Sequence, residues 1–220
     1  MVDGCLGKIK EENNMVIQFS NKIKILPWRG ENYLKQYPKI LVLGMSTYNK
    51  DDPKKKCVKI MAEKVRDGCR EKWARYWNRI TTLLINENKD VYDFWNRISF
   101  YNYIQEIMDE TKQKTPNKYW EDAKEPFKEI LTKLKPDIVI ATGYELFRNL
   151  PSEFSICKPI KKNNKELLTA HYYLKGKNIY ICGTWHPATP GFKYSDWKLL
   201  LKIFYKKVEA DKFKSRKNGI

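Results

Sequence analysis

His186 stands in Gly183-Thr-Trp-His-Pro-Ala-Thr-Pro-Gly-Phe192, a Pro- and Gly-rich loop that follows the apolar run Ile179-Tyr-Ile-Cys182, and it is one of only two histidines in the chain. A neutral imidazole in such a loop can donate a hydrogen bond to a developing anion. Two other stretches carry polar and aromatic groups suited to the same cleft, Ile40-Leu-Val-Leu-Gly-Met-Ser-Thr-Tyr48 and Phe100-Tyr-Asn-Tyr103. Together the three suggest a pocket for a nucleobase.

The elements that must position these groups alternate. Lys39 to Leu43, Asp137 to Ala141 and Asn178 to Cys182 are short β-branched or aliphatic runs that read as buried strands, with Gly44, Gly143 and Gly183 at their exits. Helical patterns lie between them: Lys59 to Leu84 with an interruption at Asp67-Gly68, Phe94 to Asp109, Asn117 to Leu134, Tyr144 to Asn149 and Tyr194 to Val208. A further strand, Leu167 to Leu174, turns through Lys175-Gly-Lys177 into the last one. The expected fold is α/β, a single three-layer domain with a central, mainly parallel four- or five-stranded sheet flanked by helices. Such sheets bind ligands at the carboxyl ends of their strands, where the loops after Leu43 and Cys182 both open.

Composition bounds the partners. The 43 Lys+Arg and 26 Asp+Glu leave a net charge of +17 on 220 residues, a field that attracts polyanions such as nucleic acid or that merely solvates a Lys-rich surface. A 42% apolar content with seven Trp and fourteen Tyr fills a sizeable core and argues against disorder. Residues 1–25 read as a loosely ordered start, 26–211 as the domain and 212–220 as a basic tail. The start, Met1-Val-Asp-Gly-Cys-Leu-Gly7, lacks a charged region followed by an apolar stretch, and no apolar run is long enough to span a bilayer, so the expectation is a cytoplasmic protein with no membrane partner. Cys5, Cys57, Cys69, Cys157 and Cys182 never form Cys-x-x-Cys, which supports neither a zinc ribbon nor a disulfide framework. His171 sits among tyrosines in a strand, where a core or surface role is expected over ligation, and no metal is implied.

Pro27-Trp-Arg-Gly-Glu-Asn-Tyr33, Leu43-Gly-Met-Ser-Thr-Tyr48, Phe100-Tyr-Asn102 and His186-Pro-Ala-Thr-Pro-Gly-Phe192, in that order over roughly residues 27 to 205, resemble the uracil-DNA glycosylase superfamily. The resemblance implies a DNA glycosylase that flips out and hydrolyses off a pyrimidine-type base to leave an abasic site, acting on DNA as a monomer with neither cofactor nor metal. It implies His186 as the donor that stabilises the departing base, the alternative being a histidine that caps its own loop. By the same resemblance Asn102, placed at the start or in the body of a helix, reads the base edge. Phe100, or else Tyr101, offers a stacking face, while core packing is an equal expectation for both.

In the first loop the family has Gly-Gln-Asp-Pro-Tyr or Gly-Met-Asn-Pro-Gly, whereas this chain has Gly44-Met45-Ser46-Thr47-Tyr48. Gly44, Met45 and Tyr48 are carried over as base-binding positions, and Ser46 stands where the acid or amide belongs. A serine hydroxyl holds water but carries no charge for the sugar cation. Asp51 or Asp52 supplies the missing carboxylate or forms an exposed turn before Pro53. The small Ser46 and Thr47 favour a modified pyrimidine, such as a modified cytosine of viral DNA, over uracil. Repair and antiviral defence both remain open as roles. Pro187, Ala188, Thr189, Gly191, Phe192, Lys193 and Tyr194 resemble the loop that enters DNA, with Phe192 either a wedge or a staple for the following helix. The rival reading is an inactive nucleic-acid-binding module of the same fold, which lost its chemistry with its acid.

Overall fold

Strand β4, Ile40–Gly44, and strand β8, Ile138–Thr142, are almost entirely apolar because both of their faces are covered. They pair in parallel, and β8 pairs in parallel with β11, Lys177–Thr184. The computed structural model describes residues 8–9, 17–48, 58–85, 90–108 and 114–217. On the other side of β4 lies β6, Ser99–Asn102, also parallel. Strand β3, Trp28–Arg29, closes that edge, and β10, Lys165–Leu174, with β9, Ser155–Lys162, extends the other. The sheet order is β3-β6-β4-β8-β11-β10-β9.

This sheet corrects the expectation of a mainly parallel one with four or five strands. It has seven strands and is mixed, with antiparallel pairing at β3–β6, β11–β10 and β10–β9, and the antiparallel ladders of β10 are its longest. The cause is local. Lys175-Gly176 and Asn163-Asn164 all have positive φ, and two-residue turns of this kind return the chain directly alongside itself. Pairing made by such a turn is antiparallel. Two small sheets complete the set: β1, Lys8–Ile9, antiparallel to β2, Ile17–Gln18, and β5, Thr47–Tyr48, parallel to β7, Ile107–Met108.

A second correction matters for the site. The helix expected over Phe94 to Asp109 is α3, Val91–Arg97, followed by strand β6. Ser99, Phe100, Tyr101 and Asn102 are all buried, so the run shows no period of two and cannot be told from a helix by pattern alone. In a strand, residues two apart share a face, so Phe100 and Asn102 point the same way while Tyr101 points oppositely, toward Phe127.

Helices cover both faces. Helix α5, Lys124–Leu134, buries Phe127, Ile130, Leu131 and Leu134 against Leu41, Val139 and Ile181, with α4, Asn117–Asp122, and α6, Tyr144–Arg148, on the same side. On the other, α1, Val58–Arg66, and α2, Arg75–Leu84, pack with α3 around Val42 and Phe100. Helix α7, Tyr194–Lys217, sets Trp197, Leu200, Leu201, Phe204 and Val208 on Ile138, Ile140 and Cys182. That spacing is the 3.6-residue stripe of an amphipathic helix.

Asp137, at the amino end of β8, ties these layers together. Its carboxylate accepts from the Lys39 main-chain N–H at 2.7 Å and from Lys212 Nζ of α7 at 2.8 Å, with Lys177 Nζ at 3.1 Å. Burial opposes its ionisation, but the bonds from Lys212 and Lys39 and the charge of Lys177 overcome that and hold its pKa below the ordinary carboxylate value. Lys177 is itself desolvated and its pKa is lowered, so Lys212 is the stronger partner. A carboxylate whose pKa is depressed by folding stabilises the fold above its unfolded value of about 3.9 and loses that contribution as pH falls through the folded value. Urea unfolding is expected to show a stability loss below about pH 4 that is blunted in Asp137→Asn; an identical acid dependence in both proteins would remove Asp137 from the explanation.

Candidate active site

Four parallel strands end side by side, and a cavity of about 880 Å³ opens where their carboxyl ends meet the loops that follow. Met45, Ser46, Thr47 and Tyr48 follow β4; Asn102 ends β6; Thr142 ends β8, leading into Gly143, Tyr144, Glu145 and Leu146; Trp185, His186, Ala188 and Thr189 follow β11, and all of these line it. Helix α2 and the turn before it add a wall that includes Trp73, Tyr76 and Arg79. A crevice at this end of a sheet is where such folds bind ligands.

His186 is oriented by its own loop. Its Nδ1 accepts from the Ala188 main-chain N–H at 3.2 Å, which places the proton of the neutral ring on Nε2. One face stacks on Tyr76, with ring centroids 5.1 Å apart and planes within 6°. Although His186 is exposed through the cleft, the surrounding walls desolvate it, and Arg79 adds a like charge, so its pKa lies below the usual histidine value. The imidazole is therefore neutral at pH 7, with Nε2–H as its remaining donor.

Tyr76 is a site residue that sequence reasoning missed. Its hydroxyl bonds to Thr142 Oγ1, which in turn donates to the Leu43 carbonyl at 2.9 Å, so the ring that supports His186 is fixed to the central strands. Its ring also meets Phe100 edge-on at 6.3 Å. Burial raises the Tyr76 pKa well above that of free tyrosine, which keeps the hydroxyl protonated.

Asn102 donates from Nδ2 to Thr47 Oγ1 at 2.7 Å, joining the end of β6 to the first loop. Its own carbonyl accepts from Gln105 Nε2 at 2.7 Å. Among the described residues nothing hydrogen-bonds to Oδ1. Phe100 is fully buried and packs on Trp77 at 4.2 Å, yet it also lines the cavity, so it serves at once as core and as floor. Ser46 donates from Oγ to the Thr47 carbonyl at 3.1 Å. Burial raises the pKa of Tyr48, while the neighbouring Ser46 hydroxyl works against it.

Gly44 does not line the cavity but fixes how closely β4 and β6 approach there. A Cβ at this position would lie 2.7 Å from both Asn102 Oδ1 and Phe100 Cζ. Gly44→Ala is expected to cost about 1–3 kcal/mol through overpacking and to displace both side chains; an unchanged thermal midpoint together with unchanged ligand affinity would show that the strands have slack.

The loop after His186 divides. Pro187 is buried, whereas Ala188 and Thr189 face the cavity. Gly191 has φ +77°, which turns the chain away, and Phe192 stacks on Trp197 at 5.4 Å, with Tyr194 as the first residue of α7. Phe192, Lys193 and Tyr194 thus sit outside the cavity lining, with Phe192 placed as packing for α7.

Glu145 is another residue that the sequence did not reveal, and it is the sole carboxylate among the described residues of the lining. It is exposed to solvent, and its field reaches Tyr48. Asp51 and Asp52, the sequence candidates for a carboxylate, lie outside the described residues, as do Cys5 and Cys57. Among the described residues no group of three or more His, Cys, Asp or Glu gathers, and no helix is long and apolar enough to cross a membrane. The second histidine, His171, faces solvent on β10 with Nδ1 3.4 Å from Cys157 Sγ.

The chain matches no protein-family model, and no curated protein matches it.

Proposed function

We propose that this chain is a monofunctional DNA glycosylase that hydrolyses the N-glycosidic bond of a flipped pyrimidine-type base and leaves an abasic site. The observation that carries the reading is the hydrogen bond from Ala188 N–H to His186 Nδ1, which leaves Nε2–H as a donor inside a cavity shared with Asn102 and Phe100. As the bond from the sugar to the base nitrogen breaks, its electron pair moves into the base, and a donor at the base oxygen stabilises that charge. Asn102 contributes an amide beside the same space, and Phe100 the apolar floor.

Glu145 stands in for the acid absent at Ser46. A carboxylate in the lining offsets positive charge on the sugar and takes a proton from the attacking water, whose oxygen bonds to the sugar carbon. The small side chains of Ser46 and Thr47 in the lining favour a substituted pyrimidine over uracil. The test is incubation of the unaltered protein with oligonucleotides carrying uracil or substituted pyrimidines and with modified viral DNA. Free base by mass spectrometry and alkali-labile strands are the expected results, and no release from any of these substrates would refute the reading.

A further inference from the structure

Lys72, Arg75 and Arg79 occupy positions i, i+3 and i+7 on the wall formed by α2 and the turn before it, and all three line the cavity. Arg75 and Arg79, four residues apart, share one side of α2, and Lys72 stands in the turn that leads into it. None of the three makes an ion pair or side-chain hydrogen bond to another described residue. Other cations of this chain do find carboxylates: Lys118 with Asp122, Lys124 with Glu121, Lys128 with Glu125 and Glu153, Arg97 with Asp93. Lysines without such a partner also lie on open surface, Lys158, Lys162 and Lys175 among them, so what sets these three apart is their place together on the wall of a cleft.

Trp73 lies between the first two of them, half-buried, with its indole N–H held by Glu71 Oε2 at 2.6 Å. That bond anchors the ring at its polar edge and leaves apolar surface in the cavity lining. Positive charges that follow a phosphate backbone, interleaved with an aromatic face, form the arrangement on which single strands bind, because an unstacked base has a face to offer the ring. Paired bases inside a duplex do not.

We propose that the Lys72, Trp73, Arg75 and Arg79 face is the track on which a single strand of DNA enters the cleft, its phosphates on the three cations and a base on Trp73. This rests on the reading of the cleft as a nucleic-acid site but needs no turnover. It assigns strand binding to α2, a segment distant in sequence from the 187–194 loop to which sequence resemblance alone would assign it, though both border the same cavity. The same cavity also holds the carboxylate of Glu145, so the phosphates and the reacting sugar meet opposite charges within one lining.

The experiment measures binding of an unmodified oligothymidine, which carries no excisable base, over about 50 to 200 mM salt. The triple variant Lys72→Gln, Arg75→Gln, Arg79→Gln is compared with Lys158→Gln, Lys162→Gln, Lys175→Gln, which removes the same charge from exposed positions on the β9 and β10 side of the sheet. For the first variant, the slope of log affinity against log salt should become shallower by about 2, at ~0.7 per single-strand phosphate contact, with affinity at low salt falling by about tenfold or more. The control should lose far less, and both should keep the circular dichroism of the unaltered protein. Trp73→Leu should lower affinity without changing the salt slope. Equal losses in the two triple variants, or tighter binding of a matched duplex than of the single strand, would overturn the proposal. Intact track binding with no base release from any substrate would overturn the glycosylase reading and leave this one standing.

Discussion

His186→Ala is expected to slow single-turnover base release by about 100- to 1000-fold, a loss of roughly 3 to 4 kcal/mol of transition-state stabilisation. Affinity for DNA should stay within a few-fold, because a donor aimed at the departing base acts mainly as charge develops on it. Its environment sharpens the expectation. Walls that desolvate the ring and the charge of Arg79 both oppose protonation, so the working species is the neutral imidazole with Nε2–H as donor. Single-turnover assays on the best substrate from the panel measure the effect directly, and an unchanged rate would leave His186 as no more than a loop cap.

Glu145→Gln should produce a comparable loss, about 100-fold or more, since a positioned carboxylate that accepts a proton in the transition state typically contributes 10²- to 10⁴-fold. The effect on binding has the opposite sign. Removing an anion from a cleft walled by Lys72, Arg75 and Arg79 weakens no phosphate contact and relieves repulsion, so DNA affinity should hold or rise. A side chain with a merely structural role would lower binding and rate together. Glu145→Asp, which keeps the charge but shortens its reach, should fall between the two. Full activity in Glu145→Gln would return the search for a carboxylate to Asp51 and Asp52.

The central strands were legible because a strand buried on both faces must be written as a nearly continuous apolar run, and β4, β8 and β11 are so written. Strand β6 was not, since Ile98-Ser-Phe-Tyr-Asn102 follows a true helix without a breaker and is buried throughout. Strand β9 escaped for another reason: Pro159 and the lysines at 158, 161 and 162 disqualify an interior strand, but an edge strand tolerates them. The loops after β4 and β11 could be placed at one site from strand order alone. Tyr76, Glu145 and the α2 cations could not, because they arrive from α2, the turn before it and α6, with no local pattern to mark them. Their roles exist only once the sheet has brought those helices to the same end.

The donor loop carries its own alignment. His186 is held by the main chain two residues on, Thr189 N–H closes onto the His186 carbonyl at 2.8 Å, and Phe192 N–H onto the Thr189 carbonyl at 3.1 Å, with Phe192 then seated on Trp197. Tyr76 supports the ring from outside, but its hydroxyl is committed to Thr142. The loop is thus a self-contained cartridge docked on α7, and the first loop across the cavity is a separate part. Substitutions at positions 45 to 47 can reshape the pocket while leaving the bonds within the histidine loop in place, whereas Tyr48 acts on Tyr76 and so on the ring that stacks against His186. A scaffold divided in this way can change what it recognises while keeping how it reacts, which makes the first loop the natural place to redirect this protein by design.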